Sequence, residues 1–274
     1  MGITRATHLP RMAIDLEMIV LVAFDELEGL PSERSPWIER YDIDRSVELT
    51  GCPTPVYVND RGLAVVTTGI GKTAAAVSTA ALLASDRFNH DDARFLTVGV
   101  AGGPPDSVEI GSVVIATSIV DWDAKLRWDG DEQPIAINPY LDEPSAFSLE
   151  ESLVDEASRA ASEVRPPVHL GTNVCGDELW HGATTARQVE WLVDRLGCDP
   201  YLATQMEDAG TTCALARFDC LDRYLSLRGI ANYDRPTDGT SPREHLLSDD
   251  FEAGFERGLT SAIEVASAVV DTHL

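Results

Sequence analysis

Short apolar runs alternate with helix-forming stretches along almost the whole chain, and this alternation constrains the fold more than any other feature. Residues 18–24 (MIVLVAF) are apolar without interruption, the pattern of a strand covered on both faces. Residues 56–58 and 63–67 flank Asn59-Asp60, with Gly62 just behind, and read as a hairpin. Residues 73–85 (TAAAVSTAALLAS) favour helix through alanine and leucine. Further strands are expected at 95–100, 112–119, 168–174 and 224–231, and further helices at 149–164, 184–196 and 250–270. Residues 205–218 begin as a strand end and become a helix, and Ser248 or Asp249 is the expected cap of the last helix. This order predicts a three-layer α/β domain around a mostly parallel or mixed sheet. Residues 129–148, with three prolines, and 233–248, with Pro236, Gly239 and Pro242, read as irregular loops. Neither is a linker, so residues 1–274 are expected to form one domain.

Composition then narrows the function. There are 46 acidic residues against 21 basic, a net charge of -25. Binding nucleic acid requires a basic footprint that releases counterions, so no nucleic-acid partner is expected. Lysine occurs only at positions 72 and 125, and an acidic, lysine-poor surface is expected of a protein adapted to high salt. No stretch approaches the roughly 18 unbroken apolar residues of a membrane span, and residues 1–11 carry no apolar signal core, so a cytoplasmic protein is expected. Cys52, Cys175, Cys198, Cys213 and Cys220 form no CxxC pair or zinc spacing and are expected as buried, reduced thiols. No metal or organic cofactor is expected.

In open α/β sheets ligands bind beyond the carboxyl ends of strands, and four such ends here carry small or polar residues. The turn Thr67-Thr68-Gly69-Ile70-Gly71-Lys72 offers backbone N–H groups to an anion or a hydroxyl, or serves only as a tight turn. It lacks a triphosphate cradle, because Val66 stands where that motif needs glycine. Gly99-Val100-Ala101-Gly102-Gly103 lets a flat ligand approach the backbone. In residues 176–182 (GDELWHG), Trp180 either stacks on a base or packs in the core, and His181 is a hydrogen-bond partner. After Met206, Glu207 offers two acceptor oxygens to a vicinal diol, and Asp208 is a candidate helix cap. Asn232 presents a donor and an acceptor to a purine edge, Asp234 is a candidate general acid, and the pair is equally compatible with a simple turn before Pro236.

Taken in order, TTGIGKTAAA, VGVAGGPPDSVEIGSVV, DELWHG, MEDAGTTCAL and LRGIANYDRP resemble the nucleoside phosphorylase superfamily, most closely its purine nucleoside permease branch. The resemblance covers residues 18–243. It implies a single phosphorylase-like domain of three-layer α/β/α fold with a central mixed sheet, in homo-oligomers, acting on a small-molecule purine nucleoside. The implied reaction is cleavage of the N-glycosidic bond, with phosphate as a possible co-substrate or with water. By position, Met206 and Glu207 would hold the ribose, and Val100, Ala101 and Gly102 would contact the base. The stacking aromatic of the family falls on Leu179, with Trp180 beside it. The family's catalytic aspartate falls on Asn232, which cannot give up a proton as an acid but can hydrogen-bond charge developing on the base. Asp234 is the alternative. The family's phosphate-site Arg and Ser fall on Thr97 and Val100, which leaves Thr68, Gly69, Lys72 or a distant arginine for an oxyanion. A water-holding carboxylate would come from Asp25, Glu26 or Glu28, after the first strand. The permease name implies the other possibility, a non-catalytic nucleoside binder linked to uptake through a membrane partner.

Overall fold

The computed structural model describes residues 13–27, 29–248 and 250–274. Its main sheet contains β1 (Met18–Val22), β2 (Arg45–Val47), β3 (Val56–Val58), β4 (Leu63–Thr67), β5 (Arg94–Gly103), β6 (Val113–Asp121), β7 (Ala146–Ser148), β8 (Val168–Cys175), β9 (Tyr201–Gln205) and β10 (Tyr224–Tyr233). The order is β7-β6-β8-β9-β5-β1-β4-β3-β2, with β10 joined to both β5 and β6. Both parallel and antiparallel pairs occur. Five strands thereby close on themselves. β5 pairs with β10, β10 with β6, β6 with β8 and β8 with β9, and β9 returns to β5 at the single pair Thr204–Gly102. The closing pair brings Gly102, Thr204 and Asn232 to one rim: a Cβ on Gly102 would stand 3.1 Å from Thr204 Oγ1 and 3.3 Å from Asn232 Nδ2.

Around the sheet lie α1 (Ser35–Arg40), α2 (Lys72–Leu83), α3 (Glu151–Ala161), α4 (Ala183–Arg195), α5 (Asp208–Arg217), α6 (Pro242–Leu246) and α7 (Asp250–Asp271). β1 and β4 are buried at every residue, which explains their unbroken apolar sequences. α7 buries Phe255, Leu259, Ala262, Val265, Ala266 and Val269, at the three-and-four spacing of one helix face.

The expected alternation is present, and 56–58 and 63–67 form the expected hairpin, with Gly62 at φ +82° in its turn. The two stretches read as irregular are corrected. Residues 129–148 hold Ile135–Ile137, paired with Lys125–Arg127, and β7. Residues 233–248 hold α6, started by a capping box between Ser241 and Glu244 with Pro242 in the first turn. Elements of three to six residues are too short to print a period. The same brevity hid α1 and β2. Ser248 accepts from Phe251 N–H only through its carbonyl oxygen (3.1 Å), and Asp249 lies outside the described residues. Of the cysteines, Cys175 and Cys220 are buried, Cys52, Cys198 and Cys213 are half-buried, and all five are free thiols. No helix among the described residues is long and apolar enough to cross a membrane.

Candidate active site

A cavity of about 850 Å³ opens where the tips of β1, β5, β9 and β10 meet α7, a volume suited to a small molecule. Val100, Ala101, Gly102, Met206, Glu207 and Asn232 all line it. Phe24, Leu30, Phe251 and Phe255 form an apolar wall, and the exposed side chains of Leu27, Ile70, Leu179 and Leu247 ring the mouth.

Glu207 is the residue before α5 and is buried. The first N–H groups of a helix have no partner within it. Here Gln205 Oε1 accepts from the N–H of Glu207 (2.6 Å) and of Asp208 (3.1 Å), so Gln205 provides the cap expected from Asp208. Asp208 points instead into the closed strand ring. Its carboxylate accepts from Asn173 Nδ2 (2.6 Å), from Ser226 Oγ and from Arg228. Arg228 is almost fully buried and also reaches Glu207 Oε2 (3.3 Å) and Gln205 Oε1 (3.1 Å). Burial pushes the Glu207 carboxyl up, and the Arg228 guanidinium pulls it down. Gly71 N–H donates to Glu207 Oε1 (3.1 Å). Each carboxylate oxygen therefore keeps acceptor capacity for a diol.

The glycine turn is held by the protein itself. Thr68 N–H and Gly69 N–H donate to the carbonyls of Val22 (2.8 Å) and Ala23 (3.0 Å). Lys72 N–H donates to Asp177 Oδ1 (2.7 Å), while Lys72 Nζ sits between Asp121 (2.7 Å) and Asp123 (2.9 Å). Neither Thr68 nor Gly69 lines the cavity, whereas Ile70 does. Gly69 and Gly71 adopt φ of +88° and +94°, which favours glycine at both.

Asn232 lines the cavity and donates through Nδ2 to the carbonyl of Tyr233 (2.8 Å). Asp234 is buried outside the cavity lining, where its carboxylate meets Tyr201 Oη (2.8 Å) and Arg235 Nε (3.7 Å). Leu179 and Trp180 also part company. Leu179 is at the cavity mouth, and Trp180 packs on Trp122 with ring centroids 6.5 Å apart. His181 Nε2 meets His245 Nδ1 at 2.9 Å, which ties the 176–182 turn to α6.

Among the described residues, the acid after the first strand that lines the cavity is Glu33, not Asp25 or Glu26. Asp25 is paired with Arg34 and Ser32, Glu26 is exposed, and Glu28 lies outside the described residues. Glu33 lines the cavity and is buried. Its Oε2 accepts from Ala23 N–H (2.8 Å). A Cβ on Gly99 would stand 2.7 Å from Glu33 Oε1 and 2.9 Å from an Arg228 Nη atom, so both groups cross the β5 backbone at that glycine. Burial pushes the Glu33 carboxyl up to about 7, against the pull of Arg228. No local pattern marks Glu33. Arg228 does leave a signal, as a charge in the middle of the strand sequence YLSLRGIANY.

Comparisons with known proteins identify the family and the fold. A purine nucleoside permease of Candida albicans is 23% identical over 87% of this chain and 71% of its own length. A 5'-methylthioadenosine/S-adenosylhomocysteine nucleosidase of Desulfotalea psychrophila is 23% identical over 89% of this chain and 95% of its own. The crystal structure of the nucleosidase of that name from Neisseria meningitidis, bound to methylthio-immucillin-A, superposes with a TM-score of 0.68. It is 18% identical and covers 94% of this chain and 100% of the other, which establishes the phosphorylase-like fold. The family model described as purine nucleoside permease (NUP) matches residues 16–141 and 141–274, and the chain belongs to that family.

Proposed function

We propose that this protein cleaves the N-glycosidic bond of a purine nucleoside, with water as the attacking group. The observation that carries the reading is that Met206, Glu207 and Asn232 line one cavity together with the residue 100–102 backbone. Breaking the C1′–N bond passes through an oxocarbenium-like state, with positive charge on the sugar and negative charge flowing into the base. A site lowers that barrier by binding the redistributed charge better than the ground state. Glu207 holds the ribose diol and faces the sugar's growing positive charge. The residue 100–102 backbone lies against the base, and the Asn232 amide hydrogen-bonds its edge.

Water is favoured over phosphate by the charges present. The N–H groups of Thr68, Gly69, Gly71 and Lys72 and the Lys72 Nζ already have partners within the protein. Arg228, the one cation of the cavity lining among the described residues, faces Glu207 and Asp208. Glu33 adds a further acidic group. A phosphate dianion would enter against that charge, whereas a water molecule beside Glu33 can lose its proton to the carboxylate. Incubation with inosine, guanosine, adenosine and 5′-methylthioadenosine, with and without phosphate, should yield free base and free sugar at the same rate in both. Glu207→Ala should lower kcat/KM by about 10²-fold. Sugar phosphate appearing only with phosphate would overturn the choice of water, and unchanged turnover in the variant would overturn the ribose assignment.

Glu33 makes the reading pH-dependent. As a base it works ionised, so kcat/KM should climb with pH and level off above about 7. Glu33→Gln should flatten that limb and lower the plateau by about 10²-fold. Stability should move the other way. Between the ordinary carboxyl value of 4.5 and about 7 the folded chain keeps a proton that the unfolded chain has lost. Stability therefore falls as pH rises through that window, and Glu33→Gln should unfold at higher urea than the parent above it.

A nucleoside binder linked to uptake is the second reading, favoured by an amide in place of an acid at Asn232. Tight binding of these nucleosides with no base released would select it.

A further inference from the structure

We infer that this site, on the hydrolytic reading above, is built for ribonucleosides whose base already carries a fixed positive charge, the class of N7-alkylated purines. A neutral purine departs as an anion unless a proton reaches it, and a positioned general acid is worth about 10²–10⁴-fold in that step. No carboxyl of the described cavity lining stands at the base end. Asn232 occupies that place, and the carboxylate nearest in sequence, Asp234, is held outside the cavity by Tyr201 and Arg235. Glu33 crosses β5 at Gly99, three residues or about 10 Å of strand from Gly102, beside which Asn232 sits. Glu207 is tied to Arg228 and to the Gly71 amide, and the exposed Glu252 stands at the mouth, beside Gly29.

Charge points the same way. Among the described residues, Glu33, Glu207 and Glu252 line the cavity against the single guanidinium of Arg228, and Asp208 lies directly behind that guanidinium. A cavity of that sign concentrates cations and disfavours a leaving anion. The Asn232 amide nitrogen is engaged by the Tyr233 carbonyl, which leaves Oδ1, the negative end of the amide dipole, without a partner among the described residues.

With a fixed charge on N7, the acid absent from the described base end is not needed. The C1′–N9 bond breaks and its electron pair enters the imidazolium ring, cancelling the N7 charge. The water oxygen bonds to C1′, and the water proton passes to the Glu33 carboxylate and then to solvent. Free ribose and a neutral base result, with no proton delivered to the base.

The test compares 7-methylguanosine in its cationic form with guanosine, for the full chain and for Asn232→Asp, after subtraction of spontaneous cleavage. The parent should prefer 7-methylguanosine in kcat/KM by about 10²-fold or more, because the acid it lacks would help only the neutral base. Asn232→Asp, which supplies a carboxyl there, should shrink the preference at least tenfold (about one order of the acid's expected worth) by gaining activity on guanosine. Equal kcat/KM on the two nucleosides in the parent would overturn the inference and leave the hydrolytic reading standing. Base released from neither would overturn both. A preference untouched by Asn232→Asp would overturn the role given to Asn232, and the parent ratio decides the matter should that variant fail to fold.

Discussion

Arg228→Met is expected to lower folding stability by about 3–5 kcal/mol and to remove base release. Methionine fills much of the same space, so the loss comes from charge rather than from a cavity. Arg228 reaches Glu207 at 3.3 Å and Asp208 at 2.5 Å, and both partners are buried. Without the guanidinium, two acidic side chains stand in the interior with one amide donor on Glu207 and two neutral side chains on Asp208. The pH dependence identifies the cause. Burial already pushes the Glu207 carboxyl up, and Arg228 is the largest influence holding it down. In the variant Glu207 keeps its proton on folding to a higher pH than in the unfolded chain. The folded state then binds more protons, so the deficit grows as pH rises above the ordinary carboxyl range. Urea unfolding at mildly acidic and mildly alkaline pH measures it. A deficit independent of pH, or below about 1 kcal/mol, would show that the ion pairs contribute little here.

What the sequence made legible follows from where each residue lies. Met206, Glu207 and Asn232 sit at ends of regular strands, and strand ends of an α/β sheet converge on the ligand whatever the details of the loops. Position along the chain was therefore enough to bring them together. Within irregular turns that logic fails. Leu179 and Trp180 are neighbours with no period to separate their directions, and only the packing of Trp180 on Trp122 decides which one meets the cavity. The glycine turn shows a similar limit. Its N–H groups look available from sequence, yet Thr68 and Gly69 use theirs to fasten the turn to β1, and the Ile70 side chain reaches the site instead.

Glu33 was illegible, and so were the partners of Arg228, for a different reason. The meaning of Glu33 and Arg228 is tertiary: each acts through the other across Gly99, and nothing within ten residues of either announces the meeting. Arg228 breaks an apolar strand pattern, which marks it as paired without naming its partners. The closing of the sheet into a ring by the lone Thr204–Gly102 pair is likewise invisible in any one segment, although it brings Gly102, Thr204 and Asn232 together at the cavity.

Gly210→Ala tests how far that geometry depends on the backbone behind Glu207. α2 and α5 begin side by side, and a Cβ on Gly210 would stand 2.0 Å from the carbonyl oxygen of Lys72 and 2.7 Å from its carbonyl carbon. Both are backbone atoms at the start of a helix and cannot swing aside as a side chain would. The two helix starts must therefore separate, and such overpacking is expected to cost about 3 kcal/mol. The separation also reaches the site, because the residue next to Lys72 is Gly71, whose N–H holds Glu207 Oε1 at 3.1 Å. Displacing that amide by about 1 Å should lower kcat/KM on the order of 10²-fold, even though Gly210 touches no substrate. The loss should fall mainly on kcat. Glu207 can still meet the diol of a bound nucleoside, but it is no longer held where the sugar's charge develops. Urea unfolding together with the base-release assay separates the two effects. A variant that loses stability but keeps the parent's kcat would mean that Glu207 is positioned by Arg228 alone, with the glycine turn serving only to pack α2 against α5.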